Sequence, residues 1–316
     1  MTDRVRIYEV GPRDGLQNES TPIPVEAKLD FIRRLVAAGL REIEATSFVA
    51  PRAIPQLADA DELLPRILAA PWAQIAGKGA PRFPVLVPNE RGMARAEAAG
   101  ARALAVFTAA SDAFTERNIG MSVEASLAAF APVLTRASTL GWWRRGYVST
   151  AFGCPYTGAV PVARVVEVAL RLLELGVEEV CFGDTIGVGV PAQVTALTRA
   201  ATAAGIPLER IAFHFHDTRG TALANVVAGL DAGVRTFDSS TGGTGGCPYA
   251  PGAAGNLATE DLVYLLDATG IEHGVDLGGV LDAARAIAAA LGRPLASKVG
   301  QAGGWDPATG APTGRA

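Results

Sequence analysis

Residues 179–216 read EVCFGDTIGVGVPAQVTALTRAATAAGIPLERIAFHFH. A short apolar run opens this stretch, and a second apolar run, 211–216, closes it. Between them, 191–204 has the apolar spacing of a helix, begins at a proline and ends before Gly205. Proline in the first turn and glycine after the last are typical helix boundaries. The stretch therefore predicts a strand, a helix and a second strand that lies parallel to the first.

The same unit recurs along the chain. Eight strands are predicted, at 5–10, 42–48, 83–87, 103–109, 146–152, 179–183, 211–216 and 236–240. Helices are predicted between them, among others at 24–38, 123–140, 161–175 and 191–204. A doubly wound open sheet is the alternative, but it more often has five or six strands and a glycine-rich nucleotide turn. Eight units favour an α/β fold of the TIM (β/α)₈ barrel type.

Beyond the eighth unit, the sequence predicts one extra C-terminal helix at Leu277–Leu291. We expect residues 1–302 to form a single catalytic domain. The segment 303–316 is rich in glycine and proline and has little to bury, so we expect a flexible tail.

Composition narrows the class of partner. The chain has 316 residues, 49% of them hydrophobic, and a formal net charge of -4. An acidic chain without a basic cluster is a poor partner for nucleic acid or for an anionic membrane, and no run of about 20 apolar residues is present to span one. The first strand begins close to Met1, so we expect no presequence. Three cysteines are an odd number, so we expect free thiols and a cytoplasmic location.

Two of the three histidines, His214 and His216, end the seventh predicted strand. Residues at i and i+2 point to the same face of a strand. The carboxyl ends of barrel strands open onto the face where barrel enzymes carry out their chemistry. The pair is therefore a candidate set of metal ligands, although two buried, hydrogen-bonded core histidines would give the same pattern.

A carboxylate can join them from the other end of the chain. Asp14 lies in 11–19, directly after the first strand, which is a near neighbour of the seventh in an eight-stranded barrel. One carboxylate, two imidazoles and an amide oxygen suit Mg²⁺ or Mn²⁺ better than structural zinc. An ordinary surface turn would explain the same glycines, proline and aspartate.

The glycine-rich stretch 242–256 follows the eighth strand and is expected to cover the barrel mouth. It would bring Cys247 there as a proton donor or acceptor, and Asn256 as a further metal ligand. A phosphate-binding loop without cysteine chemistry is the alternative. The other two cysteines, Cys154 and Cys181, lie in or beside strands, where inert packing is expected.

Glu44 alternates with apolar neighbours on the second strand, so it is expected to point into the barrel. A buried carboxylate needs a cationic partner, and Arg13 is the natural one. Asp184 and Thr185, at the end of the sixth strand, are candidates for a similar supporting role. All of these could equally be structural polar residues of the barrel.

Four stretches together are similar to a known family. They are EVGPRDGLQNE at 9–19, FGDTIG at 182–187, HFHDT at 214–218, and GGCPYA through GNLATED at 245–261. On these motifs the chain resembles the 3-hydroxy-3-methylglutaryl-CoA lyases, of the metal-dependent TIM-barrel (DRE-TIM) lyases and synthases. The resemblance extends over 5–302. Small departures are Arg219, where an aromatic residue is common, and 241–244, which reads TGGT.

The resemblance implies a site and a reaction. A divalent cation, Mg²⁺ or Mn²⁺, would be held by Asp14, His214, His216 and Asn256. Arg13 would stabilise a thioester enolate beside Glu44, and Cys247 would transfer a proton; Asp14 and His214 are counted with these catalytic residues. Gln17, Asp184 and Thr185 would contact the substrate.

The implied reaction is a retro-Claisen cleavage of a CoA thioester to acetyl-CoA and acetoacetate, as in leucine breakdown and ketone-body formation. A homodimer is expected by analogy. Three alternative functions remain: a Claisen-type synthase, a lyase for a longer-branched acyl group, and a catalytically silent (inactive) barrel that only binds CoA esters. Synthases of this group usually carry accessory C-terminal domains, and a silent barrel would be expected to lack a ligand or the loop cysteine.

Overall fold

A curled parallel sheet forms the centre of the molecule. The computed structural model describes residues 4–75, 77, 79–246, 255–305 and 312–313. Nine strands lie in one sheet: β1 (Arg6–Glu9), β2 (Glu42–Ile43), β3 (Thr46–Ser47), β4 (Val85–Leu86), β5 (Ala103–Ala109), β6 (Trp143–Ser149), β7 (Glu179–Asp184), β8 (Ile211–Phe215) and β9 (Thr236–Ser239). Their order is β2-β1-β9-β8-β7-β6-β5-β4-β3, and neighbours are parallel.

The two edge strands of this order belong to one stretch of chain, which closes the sheet into a barrel. β2 pairs with β1, and β3 pairs with β4. Between them, the Glu44 amide donates to the Glu9 carbonyl (2.8 Å), whereas the Ala45 amide donates to the Pro84 carbonyl (2.9 Å) on the other side. Residues 42–47 thus act as a single strand with a neighbour on each side. The predicted eight-stranded barrel is confirmed.

Helices alternate with the strands and surround the barrel. They are α1 (Val25–Ala37), α2 (Ala60–Ala69), α3 (Glu90–Ala98), α4 (Asp112–Ile119), α5 (Val123–Thr139), α6 (Val162–Glu174), α7 (Pro191–Ala203), α8 (Ala222–Asp231), α9 (Thr259–Ala268), α10 (Leu277–Leu291) and α11 (Lys298–Ala302). α10 is the extra C-terminal helix that the sequence predicts; it packs on α1 and α9. None of the helices in the described part of the chain has the length and apolarity needed to cross a membrane.

Helix α6 shows how the layers are held together. Val165, Val168, Ala169 and Leu172 lie at helical spacing on one face and are buried. Complete burial of a valine or leucine side chain stabilises a fold by about 1.5–3 kcal/mol. Gly146 in β6 lets the helix approach, since a Cβ there would lie 3.0 Å from the Leu172 Cδ1. The hydrophobic core is therefore the layer between the strands and the helices.

Some predicted boundaries differ from the structure. The third predicted strand, 83–87, shortens to Val85–Leu86 because Pro84 and Pro88 offer no amide hydrogen to a neighbour. The fifth begins three residues earlier than predicted, at Trp143. In the segment expected to be a tail, β10 (Gly304–Trp305) pairs antiparallel with β11 (Pro312–Thr313), a pairing that the sequence did not predict.

Candidate active site and metal centre

The loop after β1 forms a tight helical turn at the carboxyl end of the barrel. Residues Gly11–Gly15 make a single π-helical turn, in which the amides of Asp14 and Gly15 donate to the carbonyl of Val10 (2.7 and 3.1 Å). Such a turn fixes the backbone immediately beyond the strand. Arg13 and Asp14 are therefore presented over the barrel mouth by a short, hydrogen-bonded segment.

Three of the four predicted metal ligands converge at this mouth. The Nε2 atoms of His214 and His216 lie 3.2 Å apart, and the Asp14 Oδ2 is 3.9 Å from the His214 Nε2. One ligand atom from each residue can be chosen so that all three lie within 4.8 Å of one another. The expected same-face placement of the histidines is confirmed, and the three residues can contact one ion.

Asn256 lies beside them. Its Nδ2 donates to the Asp14 Oδ2 (2.8 Å) and to the Thr244 carbonyl (3.1 Å). Its backbone forms an isolated antiparallel β-bridge with His216, in which the Asp217 amide donates to the Gly255 carbonyl (2.8 Å). The Asn256 Oδ1 is buried and makes no hydrogen bond to the residues that the structure describes.

That buried amide oxygen is the type of atom that hard divalent cations bind, together with carboxylate oxygen and imidazole nitrogen. A buried polar atom without a partner is costly, and an ion beside it would remove the cost. The residues present therefore fit a divalent cation.

Arg13 is held from two sides. Its Nε donates to the Glu44 Oε1 (2.8 Å), and its Nη1 donates to the Asp14 Oδ1 (2.6 Å). Burial opposes the charge of Arg13, but Glu44 and Asp14 outweigh it and raise the pKa of the guanidinium. The predicted contact between Arg13 and Glu44 is confirmed.

The three metal-binding candidates Asp14, His214 and His216 have pKa values that are shifted in different directions. Burial alone would raise the pKa of Asp14, but Arg13, His214 and His216 lower it below its usual range. Burial and the neighbouring His214 lower the pKa of His216 to about 4. For His214, burial lowers the pKa, but the hydrogen bond and charge of Asp238 raise it overall. At neutral pH the site thus holds an ionised carboxylate beside a neutral His216.

Tyr147 belongs to the site, although the sequence analysis did not single it out. Its hydroxyl donates to the Glu44 Oε2 (2.5 Å) and accepts from the Arg145 Nη1 (3.1 Å). Its ring lies 5.7 Å from the Arg13 guanidinium carbon. The period-two pattern of the predicted strand 146–152, extended back by one residue, would have put Arg145, Tyr147 and Ser149 on one face.

A cavity of about 600 Å³ opens above these residues. Its polar wall includes Arg13, Asp14, Gln17, Tyr147, Thr185, His214 and His216. Its apolar wall includes Leu86, Phe107, Phe114, Ile119, Met121 and Phe130. A cavity with an apolar wall and a few convergent polar groups is typical of a small-molecule site.

The predicted substrate contacts differ in position. Gln17 lines the cavity, and its Oε1 is buried without a hydrogen-bond partner among the described residues. Thr185 also lines it, while its Oγ1 accepts from the Thr150 amide (2.8 Å). Asp184 does not line it, because its carboxylate accepts from the amides of Val188 and Gly189 (both 2.9 Å). A direct contact between Asp184 and substrate is thus not supported by its position.

The glycine-rich loop is described at both its ends. Gly246 reaches the cavity, but Cys247, the predicted proton-transferring thiol, lies outside the described residues. At the start of the loop, the amide and hydroxyl of Thr241 donate to the buried Glu9 carboxylate (2.8 and 2.7 Å). The other two thiols, Cys154 and Cys181, are free and buried, as expected.

Comparison with known proteins agrees with the motifs. Residues 4–287 match the model of the HMGL-like family. A hydroxymethylglutaryl-CoA lyase of Pseudomonas mevalonii is 48% identical over 298 residues, 94% of this chain and 96% of that protein. The cytoplasmic 3-hydroxy-3-methylglutaryl-CoA lyase of Rattus norvegicus is 45% identical, over 96% of this chain and 85% of that one.

Solved structures agree as well. The hydroxymethylglutaryl-CoA lyase of Pseudomonas aeruginosa superposes with a TM-score of 0.89 at 45% identity, covering 96% of this chain and 98% of that one. An HMG-CoA lyase of Acinetobacter baumannii in complex with coenzyme A and 3-methylmalate gives 0.87 at 36% identity, covering 96% of both. The chain therefore belongs to the HMGL-like family and, within it, to the hydroxymethylglutaryl-CoA lyases.

Proposed function

We propose that this protein cleaves 3-hydroxy-3-methylglutaryl-CoA to acetyl-CoA and acetoacetate by a metal-dependent retro-Claisen reaction. One observation carries the proposal: Asp14, His214, His216 and Asn256 meet beside Arg13 at the floor of one cavity. The names of the relatives support it, as does the complex of one of them with coenzyme A.

The cation is proposed to be Mg²⁺ or Mn²⁺, held by those four side chains. When bound, it would supply a positive charge that makes the substrate's tertiary hydroxyl more acidic. Asp14 and His214 both line the cavity, so a hydroxyl on the cation would lie beside them; we therefore propose that they are catalytic as well as metal ligands. His216, kept neutral by burial, would act as a ligand only.

Arg13 is proposed to stabilise the enolate. As the carbon–carbon bond breaks, its electron pair moves to the thioester carbonyl, and negative charge develops on that oxygen. Arg13 carries a permanent charge, and its contacts with Glu44 and Asp14 hold it in place before the reaction begins. Removal of one such donor typically lowers kcat by about 10²–10³-fold.

The enolate carbon must then be protonated. We propose Cys247 as the donor, because the adjacent Gly246 already lines the cavity. Gln17 and Thr185 are proposed to contact the substrate directly. For Asp184 we propose an indirect role, in which it holds the backbone at 188–189 and so steadies the strand end that carries Thr185.

The remaining proposals concern the binding partner, the cellular location and the oligomeric state. A net charge of -4 disfavours nucleic acid or an anionic membrane as the main partner, and the names of the relatives favour a CoA thioester. The free, buried thiols Cys154 and Cys181 support a cytoplasmic location. A homodimer is proposed by analogy with the family.

The test is a coupled assay for acetoacetate from 3-hydroxy-3-methylglutaryl-CoA, with and without chelator. We expect activity to be lost in chelator, and in His214→Ala and Cys247→Ala. Matched controls are His273→Ala, a buried histidine bonded to Asp267, and Cys154→Ala, a buried thiol outside the cavity lining. Full activity in chelator would remove the metal from the mechanism, and normal turnover of Cys247→Ala would remove that residue's role.

A further inference from the structure

A buried carboxylate lies behind the metal centre. Asp238 is on β9, directly opposite His214 on β8 in the register of the two strands, and is 1% exposed. Its Oδ2 is 3.1 Å from the His214 Nδ1 and 3.6 Å from the Cys181 Sγ. Its Oδ1 accepts from the Arg145 Nη2 (2.7 Å). Both carboxylate oxygens therefore have partners inside the barrel, and Asp238 is not among the described residues that line the substrate cavity.

Arg145 cannot easily change its orientation. Its side chain is fully buried and reaches across the barrel from β6 to Asp238. Its Nε lies 3.0 Å from a carboxylate oxygen of Glu179, its register partner on β7. Its guanidinium lies 3.8 Å from the centre of the Tyr8 ring. These contacts keep a donor on the Asp238 Oδ1 and leave the Oδ2 for His214.

We propose that Asp238 is a positioning residue that fixes which nitrogen of His214 carries the proton. An ionised carboxylate only accepts hydrogen bonds, so the His214 Nδ1 must be the donor. A neutral imidazole has one N–H, and its Nε2 is then left with a free lone pair. That Nε2 is the atom that faces His216 and Asp14. The inference rests on the proposed metal-dependent function, because the lone pair matters only if the Nε2 is a ligand.

The second histidine lacks this support. The His216 Nδ1 is buried and has no hydrogen-bond partner among the described residues. The two ligands thus differ: the backbone bridge to Asn256 positions His216, whereas a carboxylate also sets the tautomer of His214. Such outer carboxylates commonly change metal affinity by about 10–100-fold when they are replaced.

The most specific test is Asp238→Asn. Because Arg145 donates to the Oδ1, the amide oxygen of the variant will face Arg145 and its NH₂ group will face the His214 Nδ1. An NH₂ group donates, so the proton of the imidazole moves to the Nε2 and blocks the metal-binding lone pair. We expect Mn²⁺, titrated into the metal-free protein and followed by electron paramagnetic resonance, to bind about 10–100-fold more weakly.

The tautomer can be observed directly. The chain has three histidines, so a ¹⁵N-histidine NMR spectrum of the metal-free protein is simple to assign. The spectra are recorded at a pH above the raised pKa of His214, so that its ring is neutral. We then expect the Nδ1–H form of His214 in the wild type and the Nε2–H form in Asp238→Asn. Cys181→Ala is the matched control, since it removes the other donor to the same oxygen without changing the histidine contact. It should bind Mn²⁺ like the wild type.

Two results would overturn the proposal: unchanged Mn²⁺ affinity in Asp238→Asn, or an Nε2–H tautomer of His214 in the wild type. The wild-type spectrum decides the matter even if the variant does not fold. Failure of the proposed function looks different, because the wild type would then bind no Mn²⁺ while its His214 still showed the Nδ1–H form.

Discussion

Removal of the Tyr147 hydroxyl should uncouple the two ends of a buried hydrogen-bond chain. In Tyr147→Phe, the Glu44 Oε2 loses the donor at 2.5 Å, and the Arg145 Nη1 loses the acceptor at 3.1 Å. Hydrogen bonds to charged groups contribute about 1.5–3 kcal/mol each to stability. Glu44 is fully buried and keeps only Arg13 among the described residues, so the loss at Glu44 alone should lower the free energy of unfolding by about 1.5–3 kcal/mol.

The barrel offers a matched control for this change. Tyr8 is also buried and also faces Arg145, but its hydroxyl has no hydrogen-bond partner among the described residues. Tyr8→Phe should therefore leave the free energy of unfolding within about 0.5 kcal/mol of the wild type, or raise it slightly. Urea unfolding followed by circular dichroism measures both variants. Equal stability of the two variants would refute the assigned hydrogen bonds. The turnover of Tyr147→Phe should fall as well, since Glu44 then holds Arg13 less rigidly.

Three further changes can be tested in parallel. Arg13→Lys should lower kcat by about 10²-fold or more while Mn²⁺ affinity changes little, because the single nitrogen of an ammonium cannot reproduce the separate Nε and Nη1 donors that hold Arg13 on Glu44 and Asp14. Burial raises the pKa of Glu260 to about 7, so the folded state binds a proton that the unfolded state has lost, and the free energy of unfolding falls as pH rises from about 4.5 to 7. Glu260→Gln should remove up to about 3 kcal/mol of this pH dependence, measured by urea unfolding at several pH values. An unchanged pH dependence in the variant would contradict the prediction. In Gly255→Ala, the new Cβ would overlap the Gly245 carbonyl, so displacement of Asn256 should weaken Mn²⁺ binding; wild-type affinity would show that Asn256 is not needed.

Local sequence rules were sufficient for the barrel. Apolar runs, helical spacing and glycine stops predict strands and helices that the structure contains, as at α7 and α10. The split of the second strand into β2 and β3 was not predictable in this way. It arises because residues 42–47 hydrogen-bond alternately to both neighbours, which is a consequence of closing the sheet.

The residues that line the cavity were largely predictable from the sequence, whereas the buried residues behind them were not. His214 and His216 share a face because of strand geometry, and Arg13 pairs with Glu44 because a buried carboxylate needs a cation. Nothing in the sequence indicated that Arg145 would lie inside the barrel, because burial of a charge is costly unless partners compensate it. Those partners, Glu179 and Asp238, come from strands that are distant in sequence.

The role of Asp184 shows a different limit. Its position at a strand end suggested substrate contact, but the backbone turn at 188–189 presents two amides to its carboxylate. Two glycines in that stretch permit the turn: Gly187 has a positive φ of 59°, and a Cβ at Gly189 would lie 2.9 Å from the Asp184 Oδ2. Glycines alone, however, do not show that the chain folds back onto Asp184. The resemblance to the hydroxymethylglutaryl-CoA lyases is nevertheless confirmed over nearly the whole chain.

The most direct measurement of the central claim is anomalous diffraction from crystals of the protein grown with Mn²⁺. We predict one strong peak roughly 2.0–2.3 Å from a carboxylate oxygen of Asp14, the Nε2 atoms of His214 and His216, and the Oδ1 of Asn256. A Mn²⁺ peak elsewhere, with these four side chains bonded only to one another, would contradict the account.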